Sequence, residues 1–158
     1  MANKMELTGA DALQKALGEL PKSLSKGVLR RALTKGAEPV LQAARENVPV
    51  DQGDLRDSLA IATRLSKGQR QDSPRSKGAE IFIGPSWPKG AHGHLVEFGT
   101  SNTPAQPFLR TAWDSRGEQV LPKFGEEVWV ELEKTARRLA KQAERGKLSA
   151  AARRHLTR

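Results

Sequence analysis

GAEPVLQAARENVPVDQGDLRDSLAIATRL, residues 36–65, changes its apolar period from that of a helix to that of a strand, and this change sets the fold class. Leu24, Val28, Leu33, Ala37, Val40, Leu41, Ala44 and Val48 recur mostly at steps of three to five, which puts an apolar stripe on one helix face. Pro39 lies inside that stripe and should kink or split the helix, because its ring removes a ladder hydrogen bond. Pro49 disfavours helical geometry in the residue before it, so the helix should stop at Asn47 or Val48. VPVDQGDL, residues 48–55, then reads as a turn in which Gly53 supplies a positive φ and Asp51 and Asp54 bond local backbone. Over residues 55–65 the period becomes two, placing Leu59, Ile61, Thr63 and Leu65 on one face of an expected strand.

Leu13, Leu17 and Leu20 predict a short opening helix that ends at Pro21. Residues 66–78, SKGQRQDSPRSKG, are poor in apolar side chains and rich in turn formers, so they form a long basic loop. AEIFIG, residues 79–84, predicts a second strand, antiparallel to the first, with Ile81 and Ile83 on one side and Phe82 on the other. PSWPKGAHG, residues 85–93, is a second loop, and HLVEFGT, residues 94–100, reads as a third strand. Pro107 suits the first turn of a helix carrying Phe108, Leu109, Ala112 and Trp113. Gly117 and Pro122 should interrupt it before Leu121, Phe124, Val128, Leu132, Ala136, Leu139 and Ala143 resume a helical face that ends at Gly146. The expectation is an α+β fold: a small, mainly antiparallel sheet of three or four strands packed against a long N-terminal helix and a kinked C-terminal helix. The open edges of so small a sheet are adhesive, which points to sheet extension between subunits.

A length of 158 residues suits a single domain. No run approaches the roughly 18 apolar residues that cross a bilayer, and MANKMELTGADAL lacks the apolar core of a signal peptide. A protein made and kept in a cytoplasm, with no membrane partner, is expected. The absence of cysteine excludes disulfides, thiolate zinc sites and cysteine nucleophiles. The net charge of +9 is uneven: residues 134–158 hold nine Lys or Arg against the single acid Glu144, leaving 18 basic and 17 acidic side chains elsewhere. Such a tail fits nucleic acid, an acidic partner surface or a solvated helix end.

Catalytic patterns are missing. No G-x-S-x-G elbow, P-loop, G-x-G-x-x-G or H-E-x-x-H occurs. His92 and His94 would point to one side of an extended segment, as a zinc site needs, but Glu97 falls on the opposite face and no fourth ligand converges. The pairs Asp51/Asp54 and Glu126/Glu127 read as turn and helix-surface residues. No catalytic, cofactor-binding or metal-ligating residue is assigned, and a protein that is not an enzyme is expected. The 66–78 loop and the tail supply basic groups without the aromatic residues on which single strands stack. Tail contact with phosphates would therefore be independent of base sequence.

Three patterns, taken in order, resemble a known family. They are V-P-V-D-x-G-x-L-x-x-S-L within residues 36–59, I-G-P at Ile83, Gly84 and Pro85, and E-F-G-T followed by P-x-x-P-F-L-R-x-A within residues 94–114. Together they resemble the tail-completion, or head–tail joining, proteins of siphophages and prophages over roughly residues 9–145. The motif positions are Pro49, Asp51, Gly53, Leu55, Ser58, Gly84, Glu97, Phe98, Gly99, Thr100, Pro107, Phe108 and Leu109. The resemblance implies a structural virion protein, assembled in the host cytoplasm, that forms a ring in the head–tail neck. It would complete the tail and join it to the head connector, without catalytic residues or cofactors. The implied partners are further copies of itself, with a hexamer favoured by tail-tube symmetry. To these are added connector or adaptor proteins, tail terminator or tail-tube proteins, and non-specific contact with DNA in the lumen.

Residues 1–145 are then expected to form one tail-completion-like domain, and residues 146–158 a basic extension that is flexible until docked. Most motif positions have a structural reading: Gly53 and Gly99 fit turns, and Pro107, Phe108 and Leu109 start a helix and plug the sheet. Glu97 is costly to bury in an apolar segment unless paired, so a partner such as Arg110 or a cluster of backbone N–H groups is expected. The candidate interface residues are Lys67, Arg70, Arg75, Lys77, Trp87, Arg145, Lys147, Arg153 and Arg154. Trp87, between Pro85 and Pro88, reads either as an interface anchor or as a ring folded over its own sheet. The alternative function is a basic nucleic-acid-binding accessory protein.

Overall fold

Two antiparallel helix pairs and a short hairpin make up the computed structural model, which describes residues 10–18, 20–65, 69–70 and 78–145. Helices α1 (Ala10–Gly18), α2 (Lys22–Gly36) and α3 (Glu38–Asn47) lead into a single helical turn, α4 (Asp54–Ser58). Strands β1 (Leu59–Ala62) and β2 (Phe82–Pro85) follow, then α5 (Gly93–Phe98), α6 (Leu109–Arg116), a 3-10 turn at Gly117–Gln119 and α7 (Val120–Glu144). α2 packs along α7, and α3 along α6. The strands pair antiparallel, with Leu59 opposite Pro85 and Ala62 opposite Phe82.

The class is α+β but mainly helical, and several expectations change. The expected long N-terminal helix is two helices, α2 and α3, separated at Ala37. Pro39 sits in the first turn of α3, where a missing N–H breaks no ladder bond. The strand expected over residues 55–65 begins only at Leu59, because Gly53 (φ +85°) starts a helical turn that buries Leu55 and Ser58. The sheet has two strands among the described residues, not three or four. Residues 94–100 are not a strand: α5 occupies them up to Phe98. Gly117 does mark a break, as the 3-10 turn, but Pro122 does not. It is the third residue of α7, within the first turn, whose amides have no partner inside the helix. Most of the 66–78 loop and the whole 146–158 extension lie outside the described residues.

Two apolar clusters form. The sheet-side cluster joins Val40, Ala43, Ala44 and Val48 of α3 and its C-cap to Leu55, Leu59, Phe108 and Ala112. The second lies between α1, α2 and α7 and contains Leu13, Val28, Ala32 and Val128, with Phe124 and Leu132 against it. The C-terminal end of α2 crosses the start of α7 closely: a Cβ on Gly36 would stand 3.1 Å from the Val120 carbonyl oxygen and 3.2 Å from Phe124.

Along that helix pair the buried carboxylate of Glu131 is met by α2. The Arg31 guanidinium donates to it, and to Thr135 Oγ1 at 3.1 Å, while Lys35 Nζ lies 3.2 Å from it and 2.7 Å from Glu127. Burial alone would push the Glu131 carboxyl up; the hydrogen bonds from Arg31 and Lys35 outweigh it and hold the group below the ordinary carboxylate value. Bonds from Glu127 and then Glu131 raise the Lys35 ammonium above the ordinary lysine value.

A carboxyl depressed in the folded state contributes stability above its unfolded value, and that contribution is lost as pH falls through the folded value. Hydrogen bonds to a charged group are worth about 1.5–3 kcal/mol, reduced here because Arg31 and Lys35 are partly in solvent. Glu131→Gln should therefore lose about 1–2 kcal/mol at neutral pH. Urea unfolding of the two proteins should converge as pH is lowered below the ordinary carboxylate value of 4.5. A difference that stays constant across that range would show that the charge of Glu131 contributes nothing.

Candidate functional site

The motif E-F-G-T, read with P-F-L, is a helix-capping device. α5 turns four-apart Gly93 and Glu97 inward and leaves Leu95 and Phe98 outward. The Glu97 side chain, only 6% exposed, reaches the N-terminus of α6, where Oε2 accepts from the amides of Phe108 and Leu109, each at 2.8 Å. Oε1 accepts from the Arg110 amide at 3.1 Å. The partner is thus the cluster of backbone N–H groups rather than the Arg110 guanidinium. Free amides and the positive end of the helix dipole both favour an anion there.

The rest of the motif shapes the loop between the two helices. Gly99 adopts φ +75°, and a Cβ would fall 2.8 Å from the Ala105 amide nitrogen and 2.9 Å from the Thr103 carbonyl, so only glycine fits. Thr100 Oγ1 accepts from the amides of Asn102 and Thr103 at 3.2 and 3.0 Å, closing a turn. The amide of Gln106 donates to the Val96 carbonyl at 2.8 Å. Phe108, at the N-cap of α6, is fully buried in the sheet-side cluster, with Leu109 packed beside it.

Phe98 departs from this scheme. Its ring is 69% exposed, with the Arg110 guanidinium 6.0 Å from its centroid. Trp87 is 83% exposed, so it is not folded over its own sheet. Its loop is fixed from below: the Ser86 amide and hydroxyl both donate to the Ser58 carbonyl at 2.9 Å, and Lys89 pairs with Asp54 at 2.9 Å. Trp87 and Phe98 line one groove whose wall is the hairpin, with Ala60, Ala62, Phe82 and Gly84 along it.

The remaining motif residues take local roles. Pro49 and Asp51 are exposed in the turn after α3, Gly53 is the N-cap of α4, and Gly84 pairs with Ala60 in the hairpin. Ser58 Oγ donates to the Leu55 carbonyl at 2.7 Å, and Pro107 is exposed just ahead of α6. Arg70 and Arg145 are exposed; Lys67, Arg75, Lys77, Lys147, Arg153 and Arg154 lie outside the described residues. His92 and His94 are exposed, and His94 Nδ1 lies 3.0 Å from the Ala91 carbonyl oxygen. Among the described residues no group of three His, Asp or Glu side chains is placed to hold a metal ion. Nor is any helix among them long and apolar enough to cross a membrane.

A groove lined by two exposed aromatic rings, built on a capped helix and a short hairpin, is what this geometry offers. Residues 11–99 match the HK97-gp10-like family, described as "Bacteriophage HK97-gp10, putative tail-component", and the chain belongs to that family of phage tail components. The match runs from α1 to Gly99 and stops short of α6 and α7. Neither the curated proteins nor the solved structures returned a match.

Glu97→Gln would turn an NH2 donor toward an amide N–H and leave at least one buried donor unsatisfied. It should lower stability to urea by about 2–3 kcal/mol. A loss below about 0.5 kcal/mol would mean that the cap contributes little.

Proposed function

We propose that the chain is a ring-forming structural component of the phage head–tail neck, which completes the tail and joins it to the head connector. The observation that carries this reading is the exposure of Trp87 and Phe98 in one groove along the hairpin, in a chain of a phage tail family. Among the described residues neither strand has a second neighbour, so the outer edge of β2 presents unpaired backbone groups. A neighbouring copy that adds backbone to this edge would also cover the two aromatic rings, and buried aromatic anchors dominate binding energy. Such a contact joins two different surfaces of one chain and closes into a ring when its rotation allows.

Six copies match the symmetry of a tail tube. The head connector or adaptor would lie on one side of the ring and the tail terminator or tube on the other. Contacts that are weak singly become strong when repeated around such a ring. No chemistry is assigned to the site: its buried carboxylate is committed to three amides.

Native mass spectrometry and negative-stain microscopy of the purified chain should show a closed ring, with six copies expected. Hot-spot truncations cost about 2 kcal/mol or more each. The pair Trp87→Ser and Phe98→Ser should therefore weaken assembly by about a hundredfold or more while leaving the melting temperature of the subunit in place. A phage lacking the protein should yield filled heads separate from tails, and the doubly substituted chain should not restore joining. Normal joining by that variant would remove this surface from the mechanism.

A further inference from the structure

One flank of α7 changes electrostatic sign along its length. Glu127 and Glu131 lie on the part of that flank that faces α2, where Lys35 and Arg31 hold them. From Lys134 onward the flank carries Lys134, Arg137, Arg138, Lys141 and, at the C-cap, Arg145. At 3.6 residues per turn these five fall within an arc of about 100° and extend over about 16 Å of helix axis. All five are exposed.

The stripe is poorly neutralised within the chain. Lys134 lies 3.5 Å from Glu131, and Arg137 lies 3.4 Å from Glu133; pairs as solvated as these are worth little. Among the described residues no acid pairs with Arg138, Lys141 or Arg145, and Glu144 is the one acid in residues 134–145. Like charges three and four apart on a helix repel. The negative end of the helix dipole offsets this only in the last turn. A polyanion laid along the flank would relieve the repulsion over its whole length.

We infer that this stripe binds the phosphate backbone of duplex DNA without regard to sequence. Residues 134–145 contain no aromatic side chain, which removes the stacking that single strands use and the aromatic anchors that protein partners favour. An anionic membrane would need a free apolar face beside the cations. Here Leu132 is packed into the second cluster and Leu139 is half-buried. Three of the five cations are Arg, whose fork matches phosphate geometry. The stripe is separate from the aromatic groove, so this inference does not rest on ring formation.

The test is binding of the full chain to fluorescent duplexes of about 30 base pairs, in two unrelated sequences, followed by anisotropy between about 50 and 200 mM salt. The two duplexes should bind equally. Each phosphate contact contributes roughly 0.9 to the slope of log affinity against log salt. Arg138→Gln, Lys141→Gln and Arg145→Gln together should make that slope shallower by roughly 3 and weaken low-salt binding at least tenfold, with an unchanged melting temperature. Unchanged affinity and slope would overturn the inference. So would a loss seen only with Lys147→Gln, Arg153→Gln and Arg154→Gln, which would put the contact on the C-terminal extension. Preference for an acidic protein, an anionic vesicle or duplex RNA over duplex DNA would overturn it equally.

Discussion

The Glu97 carboxylate, lodged between the amides of Phe108, Leu109 and Arg110, ties α5 to α6 across the loop 99–107. A helix as short as α6 is unstable on its own, since nucleating the first turn fixes several residues for one hydrogen bond. Capping its free amides with a charged acceptor removes much of that penalty, and the amides in turn offset the cost of burying the carboxylate. Phe108 is fixed by the same contact. With its ring in place the cluster between α3, the hairpin and α6 is closed, and the Trp87 and Phe98 rings stand where the frame holds them.

This arrangement explains what the sequence disclosed and what it hid. The split of the helix at Ala37 just ahead of Pro39, the turn at Gly53 and the antiparallel pairing of residues near 60 with those near 83 are legible because proline, glycine and alternating side chains act locally. Two features make α5 read as a strand. Six residues fit either period, and its polarity is inverted, with the acid buried and Leu95 and Phe98 in solvent. Periodicity arguments assume apolar residues inside, and this helix breaks the assumption because its carboxylate has amides to meet. Pro122 misled in the opposite sense: a proline ends a helix only where an N–H is needed, and here it falls in the first turn. The ion pairs between α2 and α7 join residues about a hundred positions apart, with no local trace.

The candidate site was legible in part. The ordered motifs pointed to a phage tail family, and residues 11–99 match one. Yet most motif residues build the frame, while the groove depends on Trp87, whose exposure no local pattern decides, and on Phe98, the exposed aromatic ring of an otherwise structural motif. The basic stripe is visible in the sequence as composition; its confinement to one flank follows from the helical period of α7 over residues 134–145.

Both helical ridges break at the same level, α2 from α3 at Ala37 and α6 from α7 at Gly117–Gln119, where Gly36 presses on Val120 and Phe124. From this close approach onward the α2–α7 pair is held along its length by the second apolar cluster and by the ion pairs to Glu127 and Glu131. Added bulk at Gly36 would have to push the first turn of α7 aside by a few tenths of an ångström. The seating of α2 on the first turn of α7 thus depends on the absence of a single methyl group.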